Sequence, residues 1–270
     1  AGSHRVQAPD RADAGTGAES GVKFHDSSLI RILADLCLVE AAESKPVFAE
    51  RLAQWLDLSD AITLHAAHNA SAASSPAVQS GVPSVAGIAV EEEYARVKTD
   101  LVDSITKSCS PNMGEARIRW PTPKPGMGIE VTAYEPYRRF YVAHQGAMEL
   151  RVRPLRTRVR QALSRASTAL KQLAALDEAL DKIWCVRERQ LLSTVPLLLE
   201  KRFEQLLKAH TQPPVGTPQA DAPALRRQPG EGLADFCKEL QGVLLAELEL
   251  RLQPTAGLIE ALMNEANKHK

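Results

Sequence analysis

Between Glu149 and Asp177 the chain carries no acidic residue, while Arg151, Arg153, Arg156, Arg158, Arg160, Arg165 and Lys171 supply seven positive charges. A helix so charged could lie on the phosphates of a nucleic acid, and the signature of that contact is affinity that falls steeply with salt. No aromatic residue is interleaved among the charges, and no helix-turn-helix pattern adjoins them. The charges also circle the helix, so some of them must meet acids elsewhere in the fold; Glu91, Glu92, Glu93, Asp100 and Asp103 are candidates. Three readings stay open for this basic patch: pairing within the chain, an acidic protein partner, or a nucleic acid.

Other residue types capable of chemistry form weaker patterns. His65 and His68 stand three apart, and two imidazoles on one helix face can hold a metal, but no spacing supplies a third ligand. They read as surface or half-buried histidines. Cys37, Cys109, Cys185 and Cys237 are far apart, without CxxC or Cys/His spacing, which argues against a zinc site and a disulfide framework and reads as reduced thiols. The sequence has no Gly-rich phosphate loop, no GxSxG and no HExxH. The expectation is a non-enzyme, with no catalytic residue, no cofactor and no metal. Trp120 lies in IRWPTPKPG, flanked by proline; such an aromatic either docks into a partner's groove or pins its own loop to the core. Tyr134, Tyr137, Phe140 and Tyr141, four of nine Phe and Tyr residues, read as core for the same region.

The elements that must position these residues are helical. Aromatics are only 4% of the chain against 44% hydrophobic residues overall, so the core is built mostly from Leu, Ala and Val, a composition that favours helices packed side by side. Lys plus Arg and Asp plus Glu number 33 each, and the neutral whole gives no default attraction to nucleic acid or an anionic membrane. No stretch approaches the roughly 18 apolar residues that span a bilayer, and the first residues lack a signal-peptide core. The expected location is cytoplasmic.

The strongest periodicity joins Met148, Val152, Leu155, Val159, Ala162, Ala166, Ala169, Leu173, Leu176, Leu180 and Ile183 at spacings of four and three. It predicts a coiled-coil seam on one long helix, 155–192, with a start or kink at Pro154 and a bend at 190–195. A helix of that length, on the order of 57 Å, needs antiparallel neighbours or a second chain. Leu173, Leu176, Leu180 and Ile183, with Trp120, are the candidate partner-binding residues. The expected fold is all-α, an N-terminal helical subdomain joined to an elongated antiparallel bundle. Composition divides the chain into a disordered tail (1–26), the helical subdomain (27–70), a flexible linker (71–89), and a long-helix bundle (90–211) with a Pro/Gly loop at 110–129. A Pro-rich linker (212–231) and C-terminal helices that pack on the bundle (232–270), broken at Pro254, complete it.

The segment DSSLIRILADLCLVEAAESKPVFAERLAQWLDLSDAITLHAAHN, above all FAERLAQWLDLSDAI, resembles the opening of an uncharacterised β- and γ-proteobacterial protein family of unknown function, over residues 26–69. The resemblance carries packing motifs and no catalytic residues. Members of that family are encoded beside a MotA/TolQ/ExbB-type inner-membrane protein and an OmpA-like protein, which implies a cytoplasmic accessory of an envelope complex. The reading from the residues is a non-enzymatic helical adaptor or scaffold that binds a protein partner or a second copy through helices. The alternative is a nucleic-acid-binding protein that uses the basic helix 151–171.

Overall fold

The computed structural model describes residues 27–36, 38, 56–70, 83–109, 117–121, 133–211 and 231–268. Seven helices run through them: α1 (Ser28–Asp35), α2 (Leu58–Ala70), α3 (Pro83–Cys109), α4 (Glu135–Ala166), α5 (Thr168–Leu192), α6 (Val195–Thr211) and α7 (Glu231–Lys268). No strand occurs among the described residues. The tail 1–26, residues 39–55 of the expected helical subdomain, most of the linker 71–89 and nearly all of the Pro-rich linker 212–231 lie outside them. The last residues of the first linker belong to α3.

The centre is a bundle of α3, α4 and α7. Asp100 meets Arg151 and Glu93 meets Arg158, so position falls along α3 as it rises along α4 and the two helices are antiparallel. At one end of α3 Cys109 touches Cys237, and at the other a Cβ on Gly87 would lie 3.2 Å from Met263 Sδ; α7 is therefore antiparallel to α3 and parallel to α4. The stripes that meet are apolar at helical spacing: Val90, Val97, Leu101 and Ile105 on α3, Tyr141, Met148, Val152, Leu155 and Val159 on α4, Leu240, Leu244, Leu248 and Leu252 on α7, all buried. Each large side chain so placed contributes about 1.5–3 kcal/mol by leaving water. The few aromatics gather at one end, where Tyr134, Tyr137, Phe203 and Phe236 form edge and tilted contacts at ring centroid distances of 5.1–6.3 Å. α1 lays Leu29 and Leu33 on α7, and Ser28 Oγ donates to Glu249 at 2.6 Å.

Three expectations are corrected. The heptad repeat does not run through one helix: the chain leaves helical geometry at Ser167 (φ −154°, ψ 165°) and reverses. Glu149 pairs with Arg189, Arg156 with Asp181 and Arg160 with Asp177, which places α5 antiparallel on α4 as a helical hairpin. Ser167 caps α5, its Oγ accepting from Leu170 N at 3.3 Å. The apolar register slips by one residue there, so Leu170 and Ala174 are buried while Ala169 and Leu173 are exposed. The basic helix starts at Glu135 rather than at 154 or 155, and passes Pro154 without a break. α7 likewise continues through Pro254. Both prolines face solvent, so the backbone hydrogen bond that each removes is lost on the open side of the helix, while the opposite face stays packed. The interruption at Ser193 and Thr194 falls within the bend expected at 190–195.

Candidate functional site

The basic residues of α4 are placed by the hairpin and by α3. At its centre two arginines and two aspartates, each pair one helical turn apart, face each other across the α4–α5 seam. Arg156 reaches Asp177 at 2.6 Å and Asp181 at 3.1 Å; Arg160 reaches Asp177 at 2.6 Å and Asp181 at 2.8 Å. The two arginine side chains are 15% and 13% exposed, so this cluster is mostly withdrawn from water. Burial works against the charge of Arg160, but hydrogen bonds to Asp181 and Asp177 outweigh it and its pKa is raised. On the α3 side Arg151 donates to Asp100 at 2.6 Å and Arg158 Nε donates to Glu93 at 2.9 Å. Arg153 contacts Glu149, which also receives Arg189 at 3.0 Å.

Five of the seven basic residues thus hold acids of their own chain. Glu93 and Asp100 were among the acids the sequence offered; Asp177 and Asp181 were not, because a continuous helix would carry them far from Arg156. The signal was present in the matched four-residue spacing of the two arginines and the two aspartates on either side of a Ser-Thr break. Arg165 and Lys171 flank that break at the hairpin tip, are exposed, and form no ion pair among the described residues.

A second polar cluster lies where α4, α5 and α7 meet. The Glu247 side chain is fully buried. It accepts from Tyr141 Oη at 2.6 Å, Gln145 Nε2 at 3.0 Å and Arg251 Nε at 2.8 Å, and Gln145 also donates to the Leu192 carbonyl at 3.0 Å. Burial, followed by the Glu247 charge, pushes the Tyr141 phenol well above its ordinary pKa. A carboxylate so enclosed has no access to a substrate; it ties three helices together. Its sequence signal was an acid inside the apolar stripe of α7, one turn before Arg251. A recess of about 60 Å³, bordered by Glu149, Arg153, Arg156, Asp181, Cys185 and Arg189, adjoins this cluster and has room for a few water molecules.

The remaining sequence candidates are dispersed. Leu173 is 37% exposed, and Leu176, Leu180 and Ile183 are half-buried on α5, the helix against which α2 packs. Trp120 lies against Tyr137 and Phe140, ring centroids 5.1 Å away in each case. His65 bonds Asn69 at 2.8 Å, and His68 bonds Gln172 at 3.0 Å, joining α2 to α5. Among the described residues no three His, Cys, Asp or Glu side chains converge as metal ligands, and no helix is long and apolar enough to cross a membrane. Cys37 lies outside the described residues. His144, which sequence reasoning passed over, is buried in α4 against Phe140; burial lowers its pKa to about 4.

A family model described as a protein of unknown function, DUF3348, matches residues 18–264. No curated protein and no protein of solved structure matches the chain.

Proposed function

We propose that this chain, which belongs to the DUF3348 family, is a non-enzymatic helical adaptor that binds a protein partner, or a second copy, through the outer faces of its helices. The observation that carries the reading is apolar surface away from the packed core. Leu58 and Ile62 stand one turn apart on α2, 78% and 61% exposed, and Val186, Leu191 and Leu197 are exposed on α5 and at the start of α6. Such side chains bind other helices when they converge on a partner. The polar clusters, by contrast, are enclosed and matched charge for charge within the chain, which leaves them little to offer a substrate. A cytoplasmic place beside an inner-membrane complex belongs to the same proposal and rests on the family resemblance.

The test uses the tagged protein purified from its native host after mild crosslinking, beside a Leu173→Asp, Val186→Asp variant that places charge on exposed positions of α5. Proteins retained by the wild type and lost by the variant, at unchanged helicity and regardless of nuclease, support the adaptor. Equal retention by both removes α5 as the interface.

Nucleic-acid binding by the basic helix is the second reading, and Arg165 and Lys171 at the hairpin tip favour it. With only two unpaired cations it predicts a shallow salt dependence. Affinity would fall on the order of 10-fold between 50 and 200 mM salt, against roughly 10³-fold if six of the charges met phosphates. A steep slope would mean that the internal pairs open on binding.

A further inference from the structure

Two thiols 128 residues apart in sequence meet where the end of α3 packs on the second turn of α7. The Cys237 Sγ–H donates to the Cys109 carbonyl at 3.3 Å. Cys109 is buried and Cys237 half-buried. Cys185, also half-buried, bonds instead to the Lys182 carbonyl of its own helix. We infer that Cys109 and Cys237 are a redox-responsive pair, oxidised by a peroxide to a disulfide that fastens α3 to α7. The contact with the Cys109 backbone holds the Cys237 sulfur against the residue that it would bridge to, and a disulfide needs such close approach.

The more accessible Cys237 is the attacking sulfur. The thiolate is the form that reacts with peroxide, and Cys237 is the one of the two thiols that solvent reaches more easily. The Cys237 thiolate displaces hydroxide from the O–O bond and becomes a sulfenic acid. The Cys109 sulfur then attacks that sulfur, losing its proton as the sulfenic hydroxyl leaves as water. In sum two thiols and one hydrogen peroxide give one disulfide and two waters, with two electrons passing from sulfur to oxygen. The cross-link encloses α4, α5 and α6 in one covalent loop.

The purified full-length protein is treated with equimolar hydrogen peroxide at neutral pH, alkylated, and digested without reduction for peptide mass spectrometry. The expected result is one dominant Cys109–Cys237 peptide, loss of two thiols per chain, reversal by dithiothreitol, and a Tm higher by roughly 5–15 °C in the oxidised form. Cys109→Ser is expected to halt Cys237 at the sulfenic acid, trapped by dimedone, with no rise in Tm; Cys185→Ser is expected to behave as wild type. Cross-links that run mainly through Cys37 or Cys185, or between chains, would overturn the proposal, as would oxidation of Cys237 with Cys109 still a free thiol. The wild-type peptide map decides this even where a Cys109 variant folds poorly.

Discussion

Replacing Asp177 and Asp181 together by Asn leaves Arg156 and Arg160 in place, 15% and 13% exposed, with both of their carboxylate partners gone. Removing one side of a buried ion pair costs about 3–5 kcal/mol, because the remaining charge is held away from water without compensation. Partial exposure lets each guanidinium swing toward solvent, which brings the expected loss for the double substitution to about 2–4 kcal/mol. With a urea m-value of about 2–3 kcal/mol/M, the unfolding midpoint followed by circular dichroism at 222 nm moves down by roughly 1 M. The sharper arm is the exchange variant, Arg156→Asp, Arg160→Asp, Asp177→Arg and Asp181→Arg. The antiparallel hairpin sets 156 opposite 181 and 160 opposite 177, so exchange rebuilds the same pairs with their signs reversed and recovers most of the loss. A continuous helix would keep the two clusters apart and recover nothing. A double Asn variant within about 0.5 kcal/mol of wild type, or an exchange variant no more stable than the Asn one, would refute the hairpin as the reason these arginines are occupied.

Four further outcomes follow from other contacts of the fold. His144 is held neutral by burial with its pKa lowered to about 4 from the ordinary 6.5; the unfolded chain therefore binds the proton more readily. Its contribution is complete above about pH 6.5, is lost as the pH falls through that window, and is flat below about 4; the loss totals about 2–4 kcal/mol. Measured against His144→Leu, the stability advantage of the wild type shrinks by that amount between pH 7 and pH 4, and a constant difference would contradict it. Glu247→Leu strands Arg251, Gln145 and Tyr141 at a fully buried position and is expected to cost about 3–5 kcal/mol. Tyr141→Phe, which removes one donor, is expected to cost about 1–2 kcal/mol by urea titration. Ser167→Ala removes the cap of α5 and costs about 1 kcal/mol, read as a lower thermal midpoint; no change would mean that backbone geometry alone sets the reversal.

Local pattern determined the class of fold and much of its core. The stripe from Met148 to Ala162 and the aromatic cluster after the loop were legible because helix periodicity is a property of neighbours in sequence. The same logic misjudged three places. It carried one register across Ser167, since slipping a stripe by one residue leaves heptad spacing nearly intact while the chain direction reverses. It set a helix start or kink at Pro154 and a break at Pro254, whereas both helices continue through them, since sequence does not state that a proline faces water while the opposite side of its helix is packed. It offered Glu93 and Asp100 for the seven basic charges but not Asp177 and Asp181, because ion pairs form between residues that only tertiary packing brings together. Arg156 and Asp177 stand 21 positions apart, Arg158 and Glu93 stand 65 apart, and the buried carboxylate of Glu247 lies 106 positions from Tyr141. The sequence determined which faces must be buried; the direction of each helix, and with it the partner of every buried charge, was decided by the packing of α3, α4, α5 and α7, because Coulomb and hydrogen-bond energies depend on distance in space and not along the chain.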